Sequence, residues 1–361
     1  MSDPMTPILP LDAPPDAVSS ASGGRPLRVG VDIGGSKVAV IVVDASGTIV
    51  ARELAPSVAS DPDVAIGQIA DVVRDAVAAA GATMDEVDAV GVGVPGRVDR
   101  LTGTVTFAVN LGWQHLPLGE RLGQALGVPV AVENDVRTAA AGLHRRAPFG
   151  PIDDLAYLSI GTGISAGIVL AGRVHRGVRG VAGEVGHVVL EPGGPRCACG
   201  LDGCFEAIAA GSAVARAARD AVAAGTPTSL AALPDPSAED VFAAAAAGDA
   251  AATAIVDRAT TWIARMVYAL VLAYDVRLVA IGGGVSKAGD PLLERIRAAL
   301  DVICAGSPFA RELLSETDVR LLSPDLEIGP WGAIALIDDG STGVDRGRRP
   351  GEEVVAREPI P

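Results

Sequence analysis

Cysteine, lysine and long apolar runs are all scarce in this chain, and each scarcity removes a class of protein. Four cysteines in 361 residues do not build the disulfide framework of a small secreted module, and they suit a reducing compartment. Lysine occurs only as Lys37 and Lys287, no cluster of Lys and Arg is found, and the formal net charge is −15. A nucleic-acid surface must be met by clustered cations, so that partner is excluded. Nucleotides stay open, because glycine loops hold phosphates through backbone N–H groups and a divalent cation. The longest strongly apolar run, residues 266–274, is far short of the ~20 residues of a membrane span. The first twenty residues have no basic patch followed by an apolar core, so no secretory signal is expected. The expected protein is cytoplasmic, with neither a membrane nor a nucleic-acid partner. The sequence G-x-x-x-x-G-K-[ST] is also missing, so a P-loop is not indicated.

What is present alternates apolar strands with Ala-rich helical stretches, the pattern of an α/β protein. Residues 1–26 and 341–361 are rich in Pro, Asp, Gly or Ser with no apolar period, the composition of disordered arms. Residues 27–50 and 155–177 share one plan: an apolar strand, a Gly-containing turn, a second strand, then a turn at Ser46-Gly47 or Ala171-Gly172. Such a duplicated hairpin predicts two related α/β lobes facing each other across a cleft. We expect a small lobe of residues 27–134 plus about 325–340, and a large lobe of residues 135–324. Helices are expected over 62–81, stopping at Gly81, over 251–276, nearly apolar all round, and over 331–338.

Three of the four cysteines crowd into "RCACGLDGCFE" (196–206). Zinc takes four soft or borderline ligands in a tetrahedron, and Cys197, Cys199 and Cys204 supply three. His187 lies ten residues before Cys197, across the Pro192-Gly193-Gly194 turn that can fold the loop back. A structural Zn²⁺ on these four is the expectation. Free thiols beside a core imidazole are the plain alternative, and a redox role the other, although the spacing is not C-x-x-C.

Two short loops have the composition of phosphate cradles. "DIGGSK" places Asp32 at a strand end beside Gly34, Gly35, Ser36 and Lys37; backbone N–H groups there would hold phosphate while Asp32 faces the neutralising cation. As a lone motif it is equally a hairpin turn. "GTGISAG" supplies a second such loop with Gly161, Thr162 and Gly163. "PVAVENDV" is an apolar strand ending in Glu133, Asn134 and Asp135 before an Ala-rich helix. Ligands of open α/β sheets sit beyond strand C-termini, so Asp135 is either a general base or merely a helix cap.

Taken in order, "DIGGSK", "GVGVPGRVD", "NLGW", "END", "SIGTGISAG", "AGEVGH" and "CACGLDGCFE" resemble the ROK family of sugar kinases and related repressors. The resemblance spans roughly residues 28–337 and implies an actin-like, hexokinase-type ATPase fold, α/β in class, with the site between two lobes. It implies ATP and Mg²⁺ as cofactors beside zinc, and Asp135 as the base that deprotonates a sugar hydroxyl. It gives Asn110, Asn134, Glu184 and His187 as sugar contacts, joined by Glu206. Asp32, Gly34, Gly35 and Ser36 match the first phosphate loop, with Lys37 beside them. Gly161, Thr162 and Gly163 match the second loop, and Gly282, Gly283 and Gly284 the adenosine side. Trp113 either covers a sugar face or serves in the core or at an interface. The implied activity is ATP-dependent phosphorylation of a hexose, glucose at its 6-hydroxyl, by a homo-oligomer, dimer or tetramer. Fructose, N-acetylmannosamine or N-acetylglucosamine are the alternative substrates, polyphosphate the alternative donor, and a non-catalytic sugar sensor the alternative role. Ser36 stands where the family usually has Thr, and the stretch after Asp135, with Arg137, Arg145 and Arg146, departs from the family's pattern.

Overall fold

A computed structural model of the chain describes residues 26–35, 37–58, 60–146, 152–323 and 325–338. The expected arms, apart from Pro26, lie outside these residues, as does Ser36. Strands β1 (Leu27–Ile33), β2 (Lys37–Val43) and β3 (Ile49–Pro56) form a meander, and helix α1 (Pro62–Ala79) carries the chain to β4 (Val87–Val94). A small antiparallel sheet follows, of β5 (Arg97–Asp99), β6 (Thr104–Ala108) and β7 (Trp113–Leu116); α2 (Leu118–Leu126) then leads to β8 (Val130–Asn134). The first large sheet has the order β3-β2-β1-β4-β8.

Helix α3 (Asp135–Arg146) crosses to a second meander of β9 (Leu155–Ile160), β10 (Ile164–Leu170) and β11 (Arg173–His175). Helices α4 (Phe205–Ala209), α5 (Gly211–Ala223), α6 (Ala238–Ala246) and α7 (Ala250–Tyr274) precede β12 (Leu278–Gly282). Helices α8 (Asp290–Gly306) and α9 (Pro308–Ser315), strand β13 (Asp318–Leu321) and α10 (Ile328–Asp338) complete the described chain. The second sheet has the order β11-β10-β9-β12-β13. Each sheet is therefore an antiparallel meander extended by two parallel strands, so the duplication extends beyond the two hairpins to whole sheets.

Local chemistry explains the elements. The central strands β1, β4, β9 and β12 are buried almost end to end, as parallel strands covered on both faces must be. At α1, Asp61 accepts from the backbone N–H groups of Asp63 and Val64, and Pro62 starts the helix with a preset φ. Gly81 follows its end at φ +73°, with the Gly81 and Ala82 N–H groups returning to Ala78 and Val77. The long α7 buries Ile263, Ala264, Val267, Leu270 and Val271 in the core of the second lobe. No helix among the described residues is long and apolar enough to cross a membrane.

Helices α3 and α10 pack on each other, α10 also on β1 and β4, and α3 also on β9 and β10. Their approach is backbone to backbone. A Cβ at Gly91 of β4 would overlap the Ala333 carbonyl, and one at Gly332 would overlap the Thr138 carbonyl. Only glycine admits so close a contact. The result fixes the N-terminus of α3, which carries Asp135, relative to the end of β1, which carries Asp32.

Candidate active site

Asn134 ends β8 buried, and its side chain both starts and shapes the next helix. Its Oδ1 accepts from the Arg137 N–H at 3.1 Å, satisfying one donor of the first turn of α3. Its Nδ2 donates to the Gly96 carbonyl at 3.0 Å and to Asp135 Oδ1 at 2.9 Å. The Val136 N–H donates to the same Asp135 oxygen at 2.9 Å. Gly96 in turn packs against Phe107 and Ala108 at the end of β6, next to the turn Val109–Leu111, which exposes Asn110 and buries Leu111.

Burial pushes the Asp135 carboxyl up to about 6, helped by the nearby Glu184 charge and opposed by the Val136 N–H and by Arg137. Burial likewise pushes Asp32 up to about 7, with the Asp135 charge adding and Lys37 opposing. The two aspartates thus face each other closely enough to feel each other's charge. Tyr157 on β9 was not singled out in the sequence. Burial and the charges of Asp32 and Asp135 push its phenol up to about 12, so it stays protonated within reach of both charges. Its place in an apolar strand concealed it; the mark was a phenol among aliphatic neighbours.

The glycine loops converge on the same end of the sheets. In the turn between β1 and β2 the Gly34 N–H donates to the Lys37 carbonyl at 2.8 Å, and the Ser57 hydroxyl donates to the Gly34 carbonyl at 3.0 Å. In the turn between β9 and β10 the Gly161 N–H donates to the Gly163 carbonyl at 2.9 Å, and the Gly211 N–H at the start of α5 donates to the Gly161 carbonyl at 2.8 Å. The Ser212 hydroxyl donates to the Thr162 carbonyl at 2.7 Å. Gly283 has φ +83°, and a Cβ there would crowd the Ile160 backbone, so the loop after β12 lies directly against the turn between β9 and β10. A cavity of about 820 Å³ opens beside them, lined by Gly161, Thr162, Phe242, Gly284, Val285 and Pro291 among others. Glu239 and Lys287, paired at 2.8 Å, also line it. A second cavity of about 530 Å³ lies over α2 and β8 and is lined by none of these site residues.

His187, Cys197, Cys199 and Cys204 come together with all four ligand atoms within 4.8 Å of one another. Cys199 Sγ and Cys204 Sγ are 3.6 Å apart, and Cys197 Sγ is 3.7 Å from His187 Nδ1. Zn–S bonds of ~2.3 Å at tetrahedral angles separate ligands by ~3.7 Å, so the residues present fit zinc. Burial and the neighbouring thiols push Cys204 up to about 12; three thiolates in one place need a cation. Glu206 follows in α4, and its Oε2 accepts from the Ile164 N–H at 2.8 Å while packing on Gly163. That carboxylate therefore braces the turn between β9 and β10 from the cysteine loop, a contact the spacing does not indicate. Trp113 is fully buried in the core of the first lobe, which settles its alternatives in favour of packing.

Comparison with known proteins adds to this geometry. The family model described as "ROK family" matches residues 28–338. A glucokinase from Halalkalibacterium halodurans is 35% identical over 292 residues, covering 78% of this chain and 88% of that protein. The crystal structure of a ROK hexokinase from Thermus thermophilus superposes with a TM-score of 0.71 at 33% identity, covering 87% of this chain and all of that one. The structure of a ROK family glucokinase from Streptomyces griseus, in complex with glucose and AMPPNP, gives 0.67 at 33% identity, covering 86% and 98%.

Proposed function

The chain belongs to the ROK family, and from that premise we propose that it is an ATP-dependent hexokinase that phosphorylates glucose at the 6-hydroxyl. The observation that carries this reading is the placement of Asp135. It sits at the start of α3 with Oδ1 anchored by Asn134 and Val136, within reach of the Asp32 charge. Oδ2 is then the oxygen that takes the proton.

As the 6-hydroxyl proton passes to Asp135, the sugar oxygen forms its bond to the γ-phosphorus and the bond from that phosphorus to the β-phosphate bridge breaks, releasing ADP. Such transfers depend on positioning and charge neutralisation more than on covalent help. Backbone N–H groups of the loops at Gly34-Gly35 and Gly161–Gly163 would hold the phosphates, and the 820 Å³ cavity would take the nucleoside. Mg²⁺ bound with ATP supplies neutralising charge, and Asp32 would be the carboxylate that faces it. Asn110, Asn134, Glu184 and His187 would read the sugar hydroxyls through paired hydrogen bonds. Zinc held by His187, Cys197, Cys199 and Cys204 would shape that pocket without touching phosphate. The free cysteines suit the cytoplasm, and a dimer or tetramer completes the reading.

Two measurements check it. Incubated with Mg²⁺-ATP, the protein should release ADP with glucose and more slowly, if at all, with fructose, N-acetylmannosamine and N-acetylglucosamine; silence with every hexose rules the kinase out. The kcat/KM profile should begin to fall below about 7, where Asp32 takes up a proton, and steepen toward about a hundredfold per pH unit below about 6, because Asp135, raised to about 6, is a base only when ionised. A profile flat from pH 7 to 5 removes Asp135 from that role.

A further inference from the structure

Beside Asp135 lies a buried ion network that the reaction as described does not use. Glu133, at the end of β8, and Arg137, in the first turn of α3, are both almost wholly shielded from solvent. Glu133 Oε1 accepts from the Asn134 N–H at 2.9 Å and from Arg137 Nη1 at 3.3 Å. Its Oε2 accepts from Arg176 Nε at 2.6 Å. Arg137 Nη2 donates to the Gly180 carbonyl at 2.5 Å, and Arg137 Nε is buried with no partner among the described residues.

The partners come from two segments distant in sequence. Glu133 and Arg137 belong to the junction of β8 and α3, whereas Arg176 and Gly180 belong to the segment after β11 that runs on to Glu184. The ends of that segment are tied down by other bonds: Ala182 N–H to the Arg176 carbonyl at 3.2 Å, and Ala166 N–H on β10 to the Gly183 carbonyl at 2.7 Å. Its middle is held by Arg137. Buried ion networks contribute little net stability compared with apolar packing, and a buried donor without a partner calls for an explanation other than stability. Two guanidiniums against one carboxylate also leave one net positive charge beside Asp135 and Glu184. Charge of that sign lets two carboxylates stand near each other.

Resting on the reading of Asp135 and Glu184 as sugar-facing groups, we propose that Arg137 is a positioning residue for sugar recognition. Braced by Glu133, it grips the Gly180 carbonyl and fixes the segment carrying Glu184 against the helix carrying Asp135. The planar fork is essential to this, since it serves two acceptors in different directions at once. Arg137 also opposes the upward push that burial and Glu184 exert on the Asp135 carboxyl, in keeping with the geometry.

The test is R137M, which keeps bulk and removes the fork, with R137K and R176Q beside it. Each is assayed for kcat, for KM of glucose and of ATP, and for glucose affinity by calorimetry without nucleotide. For R137M the glucose KM and dissociation constant should each rise tenfold or more, kcat should fall severalfold, and the ATP KM should stay within twofold. R137K should recover part of the glucose affinity. A purely structural network would lower the melting temperature and leave the glucose constants of the folded protein within twofold of wild type; that result overturns the proposal. If R137M does not fold, R176Q decides, with a glucose KM at least threefold higher expected and an unchanged one fatal. Failure of the kinase reading is separate: wild type itself would then neither turn over nor bind a hexose.

Discussion

Asp135→Asn should lose about 10²–10⁴-fold in kcat with glucose and at the same time melt at a higher temperature than wild type at pH 8. Both effects come from one fact, that the fold buries a carboxylate it would rather keep protonated. The Asp135 carboxyl rises from 3.8 to about 6 on folding. The folded state therefore binds the proton more tightly, and stability declines as pH climbs from the unfolded value through the folded one. Two pH units set an upper bound of about 3 kcal/mol on that loss. Asparagine keeps the oxygen that accepts from Val136 and Asn134 and drops the charge. At pH 5, where wild type is largely protonated, the difference in melting temperature should shrink. The pair of measurements is turnover by ADP release and unliganded melting at pH 8 and pH 5. An asparagine variant within tenfold of wild-type turnover would sink the assignment of the base. One that is inactive but less stable at pH 8 would mean that the loss reflects damage to the start of α3.

Parts of this molecule were legible because they are written in adjacent residues. The two strand-turn-strand repeats, the helix closed by Gly81 and the crowding of Cys197, Cys199 and Cys204 each depend on local spacing. What stayed hidden depends on residues distant in sequence. Nothing near Gly332 says that the Thr138 backbone will lie against it, yet that contact sets the distance between the two aspartates. Arg137 reads in the sequence only as a departure from a familiar stretch, because the Gly180 carbonyl it holds is about forty residues away. The bond from the Ile164 N–H to the Glu206 carboxylate spans 42 residues, so the place of Glu206 after the knuckle does not reveal it. Trp113 had two readings until burial decided between them.

Cys199→Ser is the substitution that isolates the metal. Cys199 is exposed, unlike Cys197 and Cys204, so exchanging its sulfur for oxygen removes almost no packing and any large effect must arise through the ligand set. Wild type should carry close to one zinc per chain by elemental analysis, and the variant far less. A structural zinc stabilises the folded state by its binding free energy, and losing even 3–5 kcal/mol of it lowers the melting temperature of a lobe this size by about 10 °C or more. The functional consequence follows from what hangs on the knuckle. His187 is lost from its place beside Glu184, which should raise the KM for glucose. Cys204 caps α4, the helix whose Glu206 braces the turn Gly161–Gly163, so the KM for ATP should rise as well. A rise in both constants separates this variant from R137M, which should move the sugar alone. Wild-type protein that purifies without zinc, or a serine variant that melts with wild type, would leave the three thiols without a structural role.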